Sequence, residues 1–263
     1  MDWGLSNRLA RILKPPHGRT VMLAVDHGYF LGPTSGLEKP RMTITPLLAY
    51  ADSLMVTRGV LRTSVAPSAD VPVVLRVSGG ASILRELSHE GLTVAIEDAI
   101  RLNVSAITLS IFVGSEGERQ TLLNLAKLVD LGEKYGIPVL AVTAVGKEMT
   151  RDARYLGLCC RIAAEVGAHF VKTYYCEGFD EIVGATPVPL IIAGGKKRGE
   201  REAIELAASA MRAGAAGVDM GRNIFQSDCP VGMIRAVRAV VHDGASVAAA
   251  YAVYEQEKSK GPP

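Results

Sequence analysis

The chain is poor in the residues that mark several protein classes. Aromatics make up 5% of its 263 residues, and cysteine occurs four times, twice as the adjacent pair Cys159 and Cys160. That spacing supports no disulfide framework, and the thiols read as reduced ones in a cytoplasmic protein. No CxxC, HxH or HExxH spacing occurs among the four cysteines and five histidines, so no metal is expected. No apolar run approaches the roughly 20 residues of a membrane span. The opening string MDWGLSNRLARIL has no signal-peptide core and reads as a short amphipathic helix. Charge is nearly balanced at +2, which argues against a nucleic-acid surface or a charged tail. No GxGxxG follows the first strand and no GxxxxGK[ST] occurs, which counts against a doubly wound dinucleotide or P-loop sheet.

What is present is an alternation. Apolar, β-branched runs begin at Val21, Ser53, Val73, Ala106, Val139, Phe170, Leu190 and Gly217. Nearly continuous apolar strands of this kind suit a parallel sheet covered by helices. Helical patterns lie between them at 118–135, 152–166, 201–212 and 231–241, and glycines such as Gly136, Gly167 and Gly214 are placed to end helices. Eight strands in 263 residues leave about 33 residues per unit, the size of one β/α repeat. The expected fold is therefore a single (β/α)8 barrel over residues 1–263. Its N-terminal helical extension occupies 1–20, and a C-terminal helix and tail occupy 244–263.

In such a barrel the chemistry sits at the C-terminal ends of the strands. Lys172 lies in His169-Phe-Val-Lys-Thr-Tyr-Tyr175, where alternation puts Phe170, Lys172 and Tyr174 on one face. A lysine inside a buried strand is costly unless paired or neutral, and a neutral amine forms Schiff bases. The structural alternative is a lysine that snorkels or bridges a carboxylate. Asp26 and His27 end the first strand and could orient that lysine or relay protons, or Asp26 could simply cap a turn. The strings IIAGGKK and VDMGRN end the last two strands. Gly194, Gly195 and Gly221 there would let backbone N–H groups approach an anion, with Lys196 and Arg222 adding charge. Together they predict a phosphate site. Lys147 and Arg58 are possible substrate contacts. Arg76 reads either as a core pair or as a site residue, and Cys176 as a plain thiol.

These strings carry a resemblance. DHG, VKTYY, AGGKK and GRNIFQ are similar to the archaeal-type class I aldolase family, which includes fructose-bisphosphate aldolases and an aminodeoxyheptulosonate synthase. The longer strings MLAVDHGYFLGPTSGLEKP, GKEMTRDARY and VGMIRAVRAVVH resemble its acyl-transferring, thiolase branch. The likeness runs from Asp2 to about Tyr254. It implies that Lys172 is the Schiff-base residue, that Asp26 and His27 stand in the active site, and that Gly194, Gly195, Lys196, Gly221 and Arg222 hold the phosphate. It also implies coenzyme A as a co-substrate and a homo-oligomer, of the decamer kind in relatives. The implied reaction moves an acetyl group from 3-hydroxy-2,4-pentanedione 5-phosphate to coenzyme A in autoinducer-2 breakdown. Two alternatives are a Schiff-base aldolase for a phosphorylated sugar and a non-catalytic sugar-phosphate-binding barrel. One departure bears on the choice: the aldolases carry a tyrosine acid in the fifth strand, and Ala144 stands in its place here.

Overall fold

The computed structural model describes residues 2–144 and 150–261. Eight parallel strands close into a barrel: β1 (Thr20–Ala24), β2 (Ser53–Thr57), β3 (Val73–Arg76), β4 (Ala106–Ile111), β5 (Val139–Thr143), β6 (Phe170–Thr173), β7 (Leu190–Ala193) and β8 (Gly217–Met220). Each pairs with its sequence neighbour, and β8 returns to β1 with Val21 opposite Val218. All eight expected strands are present, so the (β/α)8 barrel is the fold.

Alternation along each strand sorts the side chains into two layers. Met22, Met55, Val74, Ala106, Leu140, Phe170 and Ile191 form one buried cluster in the barrel interior. The helix Trp3–Ile12 adds Ile12 to this cluster and Leu13, just past its end, joins it, so the segment plugs one end of the barrel. Asp2 starts that helix by accepting a hydrogen bond from the Leu5 amide. The alternate residues, Val21, Leu23, Leu54, Val56, Leu75, Ile107 and Val171, join a larger cluster with the surrounding helices. The helices Glu118–Tyr135, Ala153–Glu165, Glu200–Arg212 and Pro230–Asp243 supply that outer layer.

The connections differ in length, and this positions the site. After β2 and β6 they are short, with one seven-residue helix each, Arg58–Ser64 and Phe179–Ala185. After β3 the chain forms a small antiparallel ribbon, residues 78–79 with 91–92, before the helix Ile96–Arg101. That ribbon brings Glu90 to the C-terminal end of the barrel strands. At the opposite end Asp52, buried before β2, accepts from the Val21 amide, from Arg238 and from His242 at 2.6–2.9 Å. The three contacts tie β1 and β2 to the helix Pro230–Asp243.

Candidate active site

The register that puts Phe170 inside also puts Lys172 inside, one layer nearer the C-terminal end. The same rule carries Arg76 in beyond Val74, Ser110 beyond Ala106, and Asp219 opposite Met22 of β1. Four polar side chains therefore converge above the apolar plug. Lys172 Nζ lies 2.7 Å from Asp219 Oδ2, and the carboxylate side chain is fully buried. Arg76 Nε lies 2.9 Å from Asp26 Oδ2, again with both side chains buried. Arg76 Nη1 also donates to Ser110 Oγ at 3.0 Å. These groups face a cleft of about 420 Å³ that Tyr29, Glu90, Ala144, Tyr174 and the two glycine loops also line.

The two aspartates are in opposite electrostatic states. Burial pushes the Asp219 carboxyl up to about 6, against the pull of the nearby Lys172 charge. Burial also works to raise Asp26, but the Arg76 guanidinium, with Lys172 and His27 behind it, holds its carboxyl below the usual range. One carboxylate is thus a fixed anion, and the other titrates near neutrality in contact with the amine. That division suits proton transfer at Asp219 and fixed charge at Asp26. Burial lowers the His27 imidazole to about 4, outweighing the attraction of Asp26. His27 is therefore neutral at pH 7, and its ring meets Phe225 edge-on, with centroids 5.6 Å apart. Asp26 is held by Arg76 rather than by its sequence neighbour.

A second network stands behind Arg76. Its guanidinium lies 5.0 Å from the centroid of the Tyr29 ring. The Tyr29 hydroxyl donates to Glu90 Oε1 at 2.7 Å, and Ser78 Oγ donates to Glu90 Oε2 at 2.6 Å. Burial raises the Tyr29 hydroxyl above its ordinary pKa, so the phenol stays protonated.

The strings after β7 and β8 form the other wall. Gly195 has φ +72°, a left-handed conformation that glycine adopts without strain. At Gly221 a Cβ would collide with the Ala24 carbonyl and the His27 ring, so the chain passes too closely for any larger residue. Asn223 is fully buried and pins the first loop to the second. Its Nδ2 donates to Gly194 O at 2.7 Å, and its Oδ1 accepts from the Arg198 amide at 2.8 Å. Arg222 Nε and His27 Nδ1 are buried without a protein hydrogen-bond partner among the described residues. Lys196 is exposed at the rim.

The structure thus brings together Lys172, Asp26, His27, Gly194, Gly195, Lys196, Gly221 and Arg222 around one cleft. Arg76, open between two readings from sequence, is both a buried pair and a cleft residue. Arg58 is a correction: it points to the outer helices, where it, Arg62 and Arg101 surround Asp98, and it also donates to Thr93 O. The short helix that follows β2 starts at Arg58 and turns its side chain towards Ile96–Arg101. Lys147 lies outside the described residues. Asp219, Tyr29, Glu90, Ser110 and Asn223 were not singled out in the sequence. For Asp219 a signal existed, because a carboxylate at an interior position of a strand is as costly as a lysine there.

A lysine paired to a carboxylate inside a (β/α)8 barrel, beside two glycine loops after the last strands, defines the class of Schiff-base aldolases acting on phosphorylated carbonyl compounds. The chain belongs to the DeoC/LacD family of aldolases, whose sequence pattern matches residues 20–227. It is 57% identical over 259 residues to a 3-hydroxy-5-phosphonooxypentane-2,4-dione thiolase of Enterobacter sp. strain 638, covering 98% of this chain and 88% of that protein. It is 58% identical to the thiolase of the same name from Klebsiella pneumoniae, with the same coverage. Among solved structures it resembles an archaeal fructose 1,6-bisphosphate aldolase at 26% identity and a TM-score of 0.81, covering 91% of this chain and 100% of that one. A second archaeal aldolase, 25% identical with a TM-score of 0.81 over 90% of this chain and 99% of that one, was solved with its catalytic lysine covalently bound to the carbinolamine intermediate of the substrate.

Proposed function

We propose that this protein is a thiolase that transfers the acetyl group of 3-hydroxy-5-phosphonooxypentane-2,4-dione to coenzyme A, giving dihydroxyacetone phosphate and acetyl-coenzyme A. The observation that carries the reading is the contact of Lys172 on β6 with Asp219 on β8, a buried carboxyl at about 6, in the cleft that the loops after β7 and β8 also line. The substrate phosphate docks at Gly194, Gly195 and Gly221, with Arg222 and Lys196 supplying charge-assisted contacts. Lys172 then attacks the ketone nearest the phosphate, and water leaves as the imine forms. Asp219 holds and returns the protons of that step, in direct contact with the amine. Asp26, fixed as an anion by Arg76, stabilises the positive iminium across the cavity.

The thiolate of coenzyme A attacks the remaining carbonyl. The bond between that carbon and the hydroxyl-bearing carbon breaks, and its electron pair passes into the iminium to give an enamine. The acetyl group leaves on sulfur. Protonation of the enamine carbon and hydrolysis of the imine release dihydroxyacetone phosphate and restore Lys172. Ala144 favours this route over sugar-phosphate aldol cleavage, because no acid stands at that position of the cleft wall. The attacking sulfur belongs to the co-substrate, so no enzyme thiol is required. The reading places the protein in cytoplasmic autoinducer-2 breakdown, as a homo-oligomer.

The test combines product and adduct. Incubation with the phosphorylated diketone yields acetyl-coenzyme A only when coenzyme A is present. Borohydride reduction with dihydroxyacetone phosphate yields a covalent adduct that peptide mapping finds on Lys172. Lys172→Arg keeps the charge, cannot form the imine, and loses turnover while still binding phosphate. An adduct on another lysine, or an active Lys172→Arg protein, overturns the imine mechanism. Cleavage of the diketone independent of coenzyme A overturns the thiolase reading.

A further inference from the structure

We propose that a second cleft, on the outer side of the loop after β7, binds the phosphorylated nucleotide end of the coenzyme A acceptor. The inference rests on the thiolase reading above and extends it by placing the acceptor. This cleft encloses about 480 Å³ and is lined by Arg151, Tyr174, Tyr175, Lys196, Arg198 and Leu206 around Gly194 and Gly195. It shares Arg151, Tyr174, Gly194, Gly195 and Lys196 with the reaction cleft. The two spaces therefore adjoin along one wall, and an extended molecule can occupy both. Coenzyme A requires such a geometry. Its thiol must reach a carbonyl beside Lys172, while its nucleotide, at the far end of a flexible arm, must lie elsewhere.

Charge selects this cleft over the others. Among the described residues no carboxylate lines it, whereas the cleft beside Tyr29 contains Glu86 and the one beside Arg62 contains Asp70. Lys197 also lines it but is engaged, with Nζ 2.8 Å from Glu200 and 2.7 Å from the Arg198 carbonyl. Arg151, Lys196 and Arg198 make no ion pair among the described residues. The Arg151 guanidinium stacks on Tyr174, 3.8 Å from the ring centroid, which presents a planar fork of donors at the junction of the two clefts. Arg151 and Arg198, unpaired among the described residues, suit the diphosphate and ribose phosphate of the acceptor while Lys196 serves the substrate phosphate, and arginine binds such groups in a bidentate manner. The buried Asn223 fixes the loop that carries Lys196 and Arg198, so the cations are presented on a rigid frame. The substrate phosphate meets the opposite side of the same loop, together with Gly221 and Arg222.

The experiment compares coenzyme A with pantetheine as acceptor in the wild type, Arg198→Ala and Arg198→Glu, because Arg198 lines the second cleft and not the reaction cleft. Direct titration with adenosine 3′,5′-bisphosphate supplies a readout that does not depend on turnover. The expected result is a KM for coenzyme A raised about tenfold or more in each variant, the loss of one charge-assisted contact. The KM for pantetheine should stay unchanged, the adenosine bisphosphate should bind more weakly, and the borohydride adduct at Lys172 should form to the same yield. The proposal is overturned if both variants keep the wild-type KM for coenzyme A, or if coenzyme A and pantetheine lose equally. Binding of the bisphosphate that weakens in both variants, with no acetyl-coenzyme A formed by any protein, supports the cleft and refutes the thiolase reading instead.

Discussion

Replacing Asp219 by asparagine separates what the buried carboxyl does for the reaction from what it costs the fold. Asp219 is fully buried, and its carboxyl is raised from 3.8 to about 6, burial outweighing Lys172. A raised folded pKa means that the folded state holds the proton more tightly than the unfolded chain. Stability from this group is therefore fully present below pH 3.8 and is lost as pH rises through about 6. A shift of about two pKa units corresponds to about 3 kcal/mol. Asparagine keeps the shape and removes the titration. Denaturant unfolding at several pH values, taken as the difference between Asp219→Asn and wild type, should thus move by about 2.5 kcal/mol in favour of the variant between pH 4 and pH 7. Loss of the Lys172 contact offsets the whole curve, while the slope reports the carboxyl. The same variant should lose about a hundredfold to ten-thousandfold in turnover, the usual range for a removed acid–base group. It should still bind dihydroxyacetone phosphate. A stability difference that is flat from pH 4 to pH 7 would refute the electrostatic reasoning, and an Asp219→Asn protein with wild-type turnover would refute the catalytic part.

Three further outcomes follow from particular contacts. Arg222→Ala removes a guanidinium whose Nε is buried without a hydrogen-bond partner among the described residues, and it should weaken dihydroxyacetone phosphate binding by about 1.5–3 kcal/mol with the thermal midpoint unchanged; unaltered affinity in a calorimetric titration would remove Arg222 from the phosphate site. Cys176→Ser should keep most turnover, because burial and Asp152 raise the thiol above its usual range and leave little thiolate at pH 7; a loss of about a thousandfold would point to an acyl-enzyme. Asp52→Asn should destabilise by about 2–3 kcal/mol at neutral pH, since the side chain is 5% exposed and Arg238 and His242 are left facing an amide. The Asp52 carboxyl works against burial through His242, Val21 and Arg238 and is held below its ordinary value. Its contribution is therefore present at neutral pH and fades as pH falls towards the depressed pKa, so the variant and wild type should converge in acid denaturation.

The barrel was legible because its strands are buried on both faces and read as nearly unbroken apolar runs. Punctuating glycines fixed where each unit ends, as at Gly136, where φ is +65° after the helix Glu118–Tyr135. The ribbon 78–79 with 91–92 was not legible. Two-residue strands have no periodicity, and the segment between them mixes exposed Ile83 and Leu84 with polar residues. Its contribution to the site, Glu90 bonded to Tyr29 and Ser78, depends on a loop conformation that no local pattern encodes. Arg58 shows the converse failure. A charged residue just past a strand end matches the rule for this barrel, but which way the side chain turns depends on where a carboxylate waits, and Asp98 arrives from forty residues away.

The site itself divides along the same line. Lys172, Asp26 and the glycine loops could be found because each breaks a local rule: a charge within an apolar strand, or glycine where a strand should end. Their pairing could not, because alternation fixes the face and not the partner. The sequence offered Asp26 and His27 as a unit, and the barrel gives Asp26 to Arg76 from β3 and Lys172 to Asp219 from β8. The consequence is chemical. Had Lys172 faced Asp26, the carboxylate nearest the amine would have been one held ionised by Arg76, unable to accept a proton near neutrality. With Asp219 in that place, and no other charge closer to it than Lys172, burial raises the carboxyl to about 6, where it can both take and return a proton at pH 7. This pairing across alternate strands is what turns two buried ion pairs, each of doubtful value to stability alone, into a nucleophile with its own proton carrier.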